Sequence, residues 1–163
     1  MSPTLTQGRL RQLGLFGGLD DASLGELGQT LGAFDVSPGE AVFHEGDDGR
    51  DMFVLLEGEM EVLKRSKRDH ETRVAVLGPG DWFGEMAILD VLPRSATVRA
   101  IAPSTLLRVT ASDLDGLYRR DLRSYSLIMM NIAREMSRRL RVADGLLAEL
   151  VANVLDEYTR PRR

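Results

Sequence analysis

The chain has 163 residues, of which 21 are basic and 25 are acidic, so its formal net charge is −4. This length predicts one domain with an appendage, and the charge balance argues against nucleic-acid binding through bulk positive charge. The chain has no cysteine, which excludes disulfides, zinc ribbons, iron–sulfur clusters and cysteine nucleophiles. It has neither an apolar run of roughly 18 residues nor a signal-peptide core, so we expect a cytoplasmic protein without a membrane segment.

The N-terminal part of the chain predicts short helices. Leu24, Leu27 and Leu31 recur at helical spacing. Asp20 precedes them and is of a residue type that commonly caps a helix N-terminus.

Residues 33–109 change to short apolar runs separated by turn signals. These signals are Pro38-Gly39, Glu45-Gly46-Asp47, Glu57-Gly58-Glu59 and Pro79-Gly80-Asp81. Strands of about five residues at intervals of about ten predict an antiparallel β-roll or barrel. Met60 and Val62 alternate with Glu59 and Glu61, which is typical of a strand with one exposed face.

After Ala111 the helical period returns and continues to Tyr158, with a break near residues 119–121. Part of its apolar stripe is expected to pack on the roll. A helix of this length overruns the predicted roll, so its distal part predicts a homodimer. Arginines on the same helix are interpreted mainly as solvated charge. The stripe consists of Leu122, Tyr125, Met129, Ile132, Met136, Leu140, Ala143, Leu147, Leu150 and Val154, and the arginines are Arg134, Arg138, Arg139 and Arg141.

The segment GEMAILDVLPRSATV, residues 84–98, combines features that suit an anionic ligand. Gly84 has no Cβ, so a ligand can approach its backbone, and one helical turn starting there leaves N–H groups free for an anion. Arg94 can donate a two-pronged charged hydrogen bond to a phosphate, and Ser95 adds a hydroxyl. Glu85 beside a phosphate needs a donor, for which a ribose hydroxyl is natural. This set of groups fits a small cyclic nucleotide better than a triphosphate.

Two alternatives have to be compared with this interpretation. Glu85 and Arg94 could form an ordinary salt bridge across a surface loop. An enzymatic β-roll of the cupin type would need a metal cluster, for which His44 and His70 are too few, and both are expected to be exposed. The sequence shows no nucleophile–base arrangement, so catalysis is not expected.

The patterns together predict an α+β fold. It consists of an antiparallel, jelly-roll-like β-roll with short N-terminal helices, a short phosphate-binding helix and a long C-terminal helix. We assign residues 1–120 to the roll with its N-terminal helices, and residues 121–163 to the long helix, as a dimerisation element or lid, with a short tail.

Three segments carry a resemblance to a known family. They are FGGLDDASL, PGEAVFHEGDDGRDMFVLLEGEMEV and GDWFGEMAIL followed by PRSATVRA. The chain resembles cyclic nucleotide-binding domains, the module shared by catabolite-activator-type regulators, protein kinase A and G regulatory regions and nucleotide-gated channels. The resemblance covers roughly residues 15–155, and its last segment is similar to the family's phosphate-binding cassette.

The resemblance implies a role for each cassette residue. Glu85 matches the family residue that binds the ribose 2′-hydroxyl, and Arg94 matches the residue that holds the cyclic phosphate. The resemblance also implies which residues pack against the base and which arginine of the long helix points toward the ligand. The remaining phosphate and sugar contacts would be Gly84, Met86, Ala87, Ser95 and Ala96, base packing would involve Val74 and Leu77, and the helix arginine would be Arg139.

The resemblance defines the preferred nucleotide less clearly than it defines the cassette. The helix hydroxyl pair that contacts adenine in catabolite-activator-type proteins falls on Ala143 and Asp144, and Asp144 could also accept from guanine. Ser95 stands where cGMP-selective kinase domains have threonine. We expect cAMP, with cGMP as the alternative.

The resemblance implies a regulatory protein that binds and does not catalyse. The winged helix that follows the long helix in bacterial regulators has no counterpart before Arg163, so direct DNA binding is not expected and the downstream protein is unknown. The chain is interpreted as a cyclic nucleotide sensor acting through its long helix. The alternative is a scaffold or dimerisation module of the same fold with a vestigial pocket.

Overall fold

The computed structural model describes residues 5–67 and 69–159, with side chains described up to Asp156. The predicted tail at 160–163 lies outside the described residues. The α+β fold is confirmed: eight strands in two sheets lie between short N-terminal helices and a long C-terminal helix. The helices are α1 (Gln7–Arg11), α2 (Asp21–Thr30), α3 (Met86–Leu89), α4 (Ala111–Arg120) and α5 (Leu122–Thr159), with a 3-10 turn at Gly14–Phe16. The strands are β1 (Gly32–Val36), β2 (Ala41–Phe43), β3 (Asp51–Glu57), β4 (Met60–Arg65), β5 (Glu71–Leu77), β6 (Trp82–Phe83), β7 (Thr97–Ala100) and β8 (Ser104–Thr110).

The strands form two four-stranded antiparallel sheets, ordered β1-β8-β3-β6 and β2-β7-β4-β5. Buried apolar residues such as Phe53, Met60 and Leu106 fill the space between the sheets. The predicted turns are confirmed by glycines of positive φ. At Gly58, φ is 99° and a Cβ would overlap Ser104, so only glycine fits this turn.

The prediction that β4 has one exposed face is wrong at Glu61, which is only 6% exposed. Arg73 on β5 and Arg99 on β7 flank it and donate to its two carboxylate oxygens at 2.7 and 2.8 Å. These hydrogen bonds hold the pKa of Glu61 below its usual value, with the Arg99 contribution the larger. The two arginines therefore cover a carboxylate that strand alternation alone would leave in solvent.

A second core lies between the outer face of the β1-containing sheet and the helices. Leu24 of α2, Val54 of β3, Leu117 of α4 and Ile128 of α5 are all buried in it. Asp20 caps α2 by accepting from the Ser23 backbone N–H at 2.9 Å, as predicted. Because Ile128 belongs to this core, the proximal part of α5 is packed on the body of the domain.

The predicted break in the C-terminal helix is confirmed at Asp121, between α4 and α5. Asp121 accepts from the Ser124 backbone N–H at 3.0 Å and from the Ser23 hydroxyl at 2.7 Å. The Ser124 hydroxyl donates to that of Ser23 at 3.0 Å. These bonds lower the pKa of Asp121 to about 2, with the bonds from Ser124 the largest cause. The network joins the start of α5 to α2 and fixes the direction in which α5 leaves the domain.

The apolar stripe of α5 divides into two parts. Ile132 is fully buried, and Met129 and Met136 pack partly against the helical core. Every described side chain from Leu140 to Asp156 is exposed. Within the described residues, no helix is both long and apolar enough to cross a membrane.

Candidate nucleotide-binding site

The cassette lines a cavity of about 440 Å³ between β4, β5, β7 and α5. The structure brings together all seven predicted cassette residues, together with Leu77 and Arg139 from the predicted base and helix positions. The seven are Gly84, Glu85, Met86, Ala87, Arg94, Ser95 and Ala96.

The loop before α3 places backbone and side chains close to Arg94. Gly84 has a φ of 84°, and a Cβ there would lie 2.8 Å from Nη1 of Arg94. A Cβ at Gly49 would lie 2.7 Å from Nε of Arg94. Both positions therefore require glycine if the buried arginine is to keep its place.

Arg94 is only 5% exposed and is held by one residue that the sequence analysis missed. Its Nη1 donates to the Asp51 carbonyl at 2.7 Å and to the Gly84 carbonyl at 3.2 Å, and its Nη2 pairs with the Asp51 carboxylate. Its guanidinium carbon lies 4.1 Å from the centre of the Phe43 ring. The Nε of Arg94 is buried and has no hydrogen-bond partner among the described residues.

Glu85 lies in the same cavity and is 5% exposed. Its Oε1 is 3.4 Å from Nη1 of Arg139, while its buried Oε2 has no partner among the described residues. Burial raises the pKa of this carboxyl above its usual value and outweighs the opposite effect of Arg139. Since Glu85 pairs with Arg139 and Arg94 with Asp51, the interpretation as an ordinary Glu85–Arg94 surface bridge is wrong.

Arg139 connects α5 directly to the cassette. Its Nη2 donates to the Trp82 carbonyl at 2.7 Å, and its Nε donates to Glu135 on the same helix at 3.2 Å. With the contact to Glu85, one side chain of the long helix touches both β6 and the loop that follows it. Arg139 is therefore a direct contact between α5 and Glu85.

The wall predicted for the base is only partly formed by the predicted residues. Leu77 is 7% exposed and lines the cavity, but Val74 is 59% exposed and does not. The β4–β5 register pairs Val62 with Ala75 and Leu63 with Arg73, so Val74 is the extra residue of a bulge and turns away. The apolar wall is instead completed by Val62, which strand alternation had marked, and by three residues that it had not: Ala75, Val76 and Val98.

Other candidate residues lie away from the cavity. Asp144 is on the exposed distal part of α5 and is not among the lining residues. His44 and His70 are exposed, as expected. No group of three or more metal-ligating side chains is found among the residues that the structure describes.

The model of the cyclic nucleotide-binding domain family matches residues 34–121, more than half of the chain. The chain belongs to the cyclic nucleotide-binding domain family. It is 30% identical over 142 residues to a Mycobacterium tuberculosis protein named CRP-like cAMP-activated global transcriptional regulator. That match covers 87% of this chain and 62% of the relative, so the chain spans about three fifths of the relative's length.

Solved structures of the family have the same fold. The catabolite activator protein of Thermus thermophilus is 31% identical with a TM-score of 0.74, covering 85% of this chain and 63% of that one. A cyclic nucleotide-binding domain from Methylobacillus flagellatus has a TM-score of 0.78 over 88% of this chain and 81% of that one. Its identity is 22%, so it supports the fold alone.

The buried charge of Glu85 predicts a stabilising substitution. Because the folded-state pKa of Glu85 lies above its usual value of 4.5, the ionised form destabilises the ligand-free fold increasingly as pH rises through the folded-state pKa. Glu85→Gln keeps the shape and removes the charge, so we expect its Tm to exceed the wild-type Tm by a few degrees at neutral pH. Thermal unfolding from about pH 4.5 to 8 should show the gain shrinking toward the acidic end.

Glu135→Gln is the matched control, since Glu135 pairs with Arg138 and Arg139 on the same helix. It should give no gain in Tm. A Glu85→Gln protein less stable than wild type at neutral pH would show that the contact with Arg139 outweighs the effect of burial.

Proposed function

We propose that this protein is a sensor that binds a cyclic nucleotide, cAMP in preference, and transmits its presence through α5. The observation that carries the proposal is the pair of unpartnered buried atoms in residues lining one cavity, Oε2 of Glu85 and Nε of Arg94. Burying an unpaired acceptor and an unpaired donor is unfavourable, so such groups are typical of a site that a polar ligand completes.

The chemistry of the cavity matches the parts of a cyclic nucleotide. Arg94 carries the positive charge for one phosphodiester, and the absent Cβ at Gly84 leaves the space that its guanidinium occupies. Oε2 of Glu85 can accept from a ribose hydroxyl. The Ser95 hydroxyl, now 3.6 Å from Sδ of Met86, is a further donor, and the apolar wall around Leu77 suits a base.

The coupling to α5 is proposed to run through Glu85 and Arg139. A ribose hydroxyl that donates to Glu85 takes up part of the hydrogen-bonding capacity of the carboxylate that Arg139 contacts. The two contacts of Arg139 with the cassette region then differ in strength between the free and bound states. A ligand can shift the position of α5 only through such a difference.

The distal part of α5 is proposed to form a homodimer and to reach a downstream protein whose identity is open. Leu140, Leu147 and Leu150 are each about 60% exposed (62%, 59% and 60%) and recur at helical spacing. This exposed stripe is also what favours the second candidate function, a scaffold or dimerisation module whose pocket is vestigial.

The first functional prediction concerns the phosphate. Arg94→Ala removes the only cation that the cassette directs at the anion, and we expect a loss of about 2–5 kcal/mol in binding free energy, measured by calorimetry with cAMP. Arg94→Lys keeps the positive charge but loses the planar guanidinium with its two parallel donors, so this variant should also bind cAMP more weakly than wild type. Arg119→Ala, on an exposed residue paired with Asp115, is the control.

The wild-type titration separates the two candidate functions. Binding of cAMP by wild type and its loss in both Arg94 variants would support the sensor. A folded wild type that binds neither cAMP nor cGMP would favour the scaffold.

The second functional prediction concerns assembly. Leu150→Glu places a charge on the exposed stripe, whereas Ala152→Glu places one on the opposite side of α5. We expect wild type and Ala152→Glu to sediment as dimers at tens of micromolar (about 50 µM) and Leu150→Glu to shift toward monomer, because burying an unpaired carboxylate is unfavourable. Monomeric wild type with and without cAMP would contradict this assignment.

The third functional prediction concerns the preferred nucleotide. The walls of the cavity are largely apolar near Leu77, and Ser95 offers one hydroxyl, worth about 0.5–1.5 kcal/mol to a guanine amino group. Asp144 could contribute only if it reached a base, and within one chain it lies outside the cavity. We therefore expect cAMP to compete better than cGMP, with Asp144→Ala leaving the order unchanged. A roughly tenfold cGMP preference that Asp144→Ala abolishes would reverse the assignment.

A further inference from the structure

Two arginines share the carboxylate of Asp51. One is Arg94, in the loop between α3 and β7, and the other is Arg108, on β8. One oxygen of Asp51 pairs with Arg94 of the cassette. The other accepts from Arg108 of β8, at 2.7 Å from Nε and 2.6 Å from Nη2. The side chain of Asp51 is 12% exposed and that of Arg108 is 56% exposed. Arg108 is therefore the half-exposed end of a chain of three charges whose other end is the buried Arg94.

Arg108 does not line the nucleotide cavity. It lines a broader groove of about 960 Å³ on the other side of Arg94, bordered by β1, β2 and β3. Phe43 and Arg94 border both spaces and separate them. Arg108 therefore has no direct contact with the nucleotide cavity and is linked to it through Asp51 and Arg94.

The charges in this chain determine what an incoming phosphate meets. Arg94 and Asp51 together carry no net charge, so on their own they offer a phosphate little attraction. Arg108 adds one positive charge and gives the trio a net charge of +1. Because Arg108 is 56% exposed and lies outside the cavity, water screens part of its charge, and its effect on a phosphate is expected mainly through its contact with the buried Asp51 carboxylate.

The hydrogen bonds lead to the same conclusion. Arg94 engages Asp51 through Nη1 and Nη2, and its Nε remains unpaired. With Arg108 bound to one carboxylate oxygen, Asp51 offers Arg94 only the other. Without Arg108, both oxygens are available to Arg94, and a two-pronged pair of this kind would compete with the phosphate for the same guanidinium.

We propose that Arg108 is a positioning residue that sets the affinity for a cyclic nucleotide by neutralising Asp51 and limiting its hold on Arg94. This inference rests on the proposed function, since it concerns the same cavity. It assigns a role in ligand binding to a side chain that faces a different groove.

The test compares Arg108→Met with Arg73→Met. Both arginines are half-exposed, at 56% and 55%, and each bonds a buried carboxylate that a second arginine shares. We expect Arg108→Met to weaken cAMP binding about tenfold in calorimetry and Arg73→Met to change it less than about twofold. Adenosine, which has no phosphate, should bind wild type and Arg108→Met with equal affinity in competition binding.

A double-mutant cycle tests whether Arg108 acts through Asp51. In an Asp51→Asn background there is no carboxylate to neutralise, so adding Arg108→Met should change cAMP affinity less than about twofold. A tenfold effect that persists in this background would overturn the proposed route.

The possible outcomes separate the inference from the function on which it rests. Wild type that fails to bind cAMP or cGMP overturns the sensor function itself. Wild type that binds, with Arg108→Met equal to Arg73→Met, overturns only the role of Arg108. Equal losses for cAMP and adenosine would show a general change in the cavity and would also overturn it.

Discussion

The ion pair between Arg94 and Asp51 is the interaction on which the arrangement of the site depends. It holds a guanidinium at 5% exposure between the two sheets, against the ring of Phe43. Gly49 and Gly84 stand where a Cβ would meet that guanidinium. A buried charge is tolerated only with close partners, so the loop before β3, the strand itself and the cassette are all constrained by one side chain.

The site keeps polar atoms in places that a purely stable fold would fill with apolar groups. Oε2 of Glu85 and Nε of Arg94 are buried without partners among the described residues, and burial raises the pKa of Glu85. The ligand-free domain is therefore less stable than its own core would allow. This is the expected relation between stability and function at a binding site, because the groups that destabilise the empty state are the ones that a ligand satisfies.

The seven predicted cassette residues line one cavity, and the sequence could group them because they lie within one short, chemically distinctive segment. The turns and the helix break were equally readable from glycine, proline and the capping residues. Asp51 was missed because its partners lie far along the chain, at Arg94 and Arg108, and nothing in its neighbourhood marks it. Val74 was misplaced because its role was carried over from the resemblance, whereas here it is the extra residue of a bulge. Glu61 was misread because arginines on two neighbouring strands cover it. Long-range pairing and local register decide these cases, and neither is visible in a single sequence.

The change in the environment of α5 at Arg139 has a mechanical consequence. Up to that residue the helix is clamped, by Ile132 in the core and by Asn131, whose amide donates to the Leu15 and Gly17 carbonyls at 3.1 and 3.0 Å. The 20 residues from 140 to 159 continue for about 30 Å without a buried described side chain. The helix is thus supported by the domain up to Arg139, which contacts the cassette, and extends beyond it without further support. A tilt of about 10° at Arg139 carries the far end about 5 Å, roughly one helical turn, so a displacement too small to alter the roll is amplified at the tip.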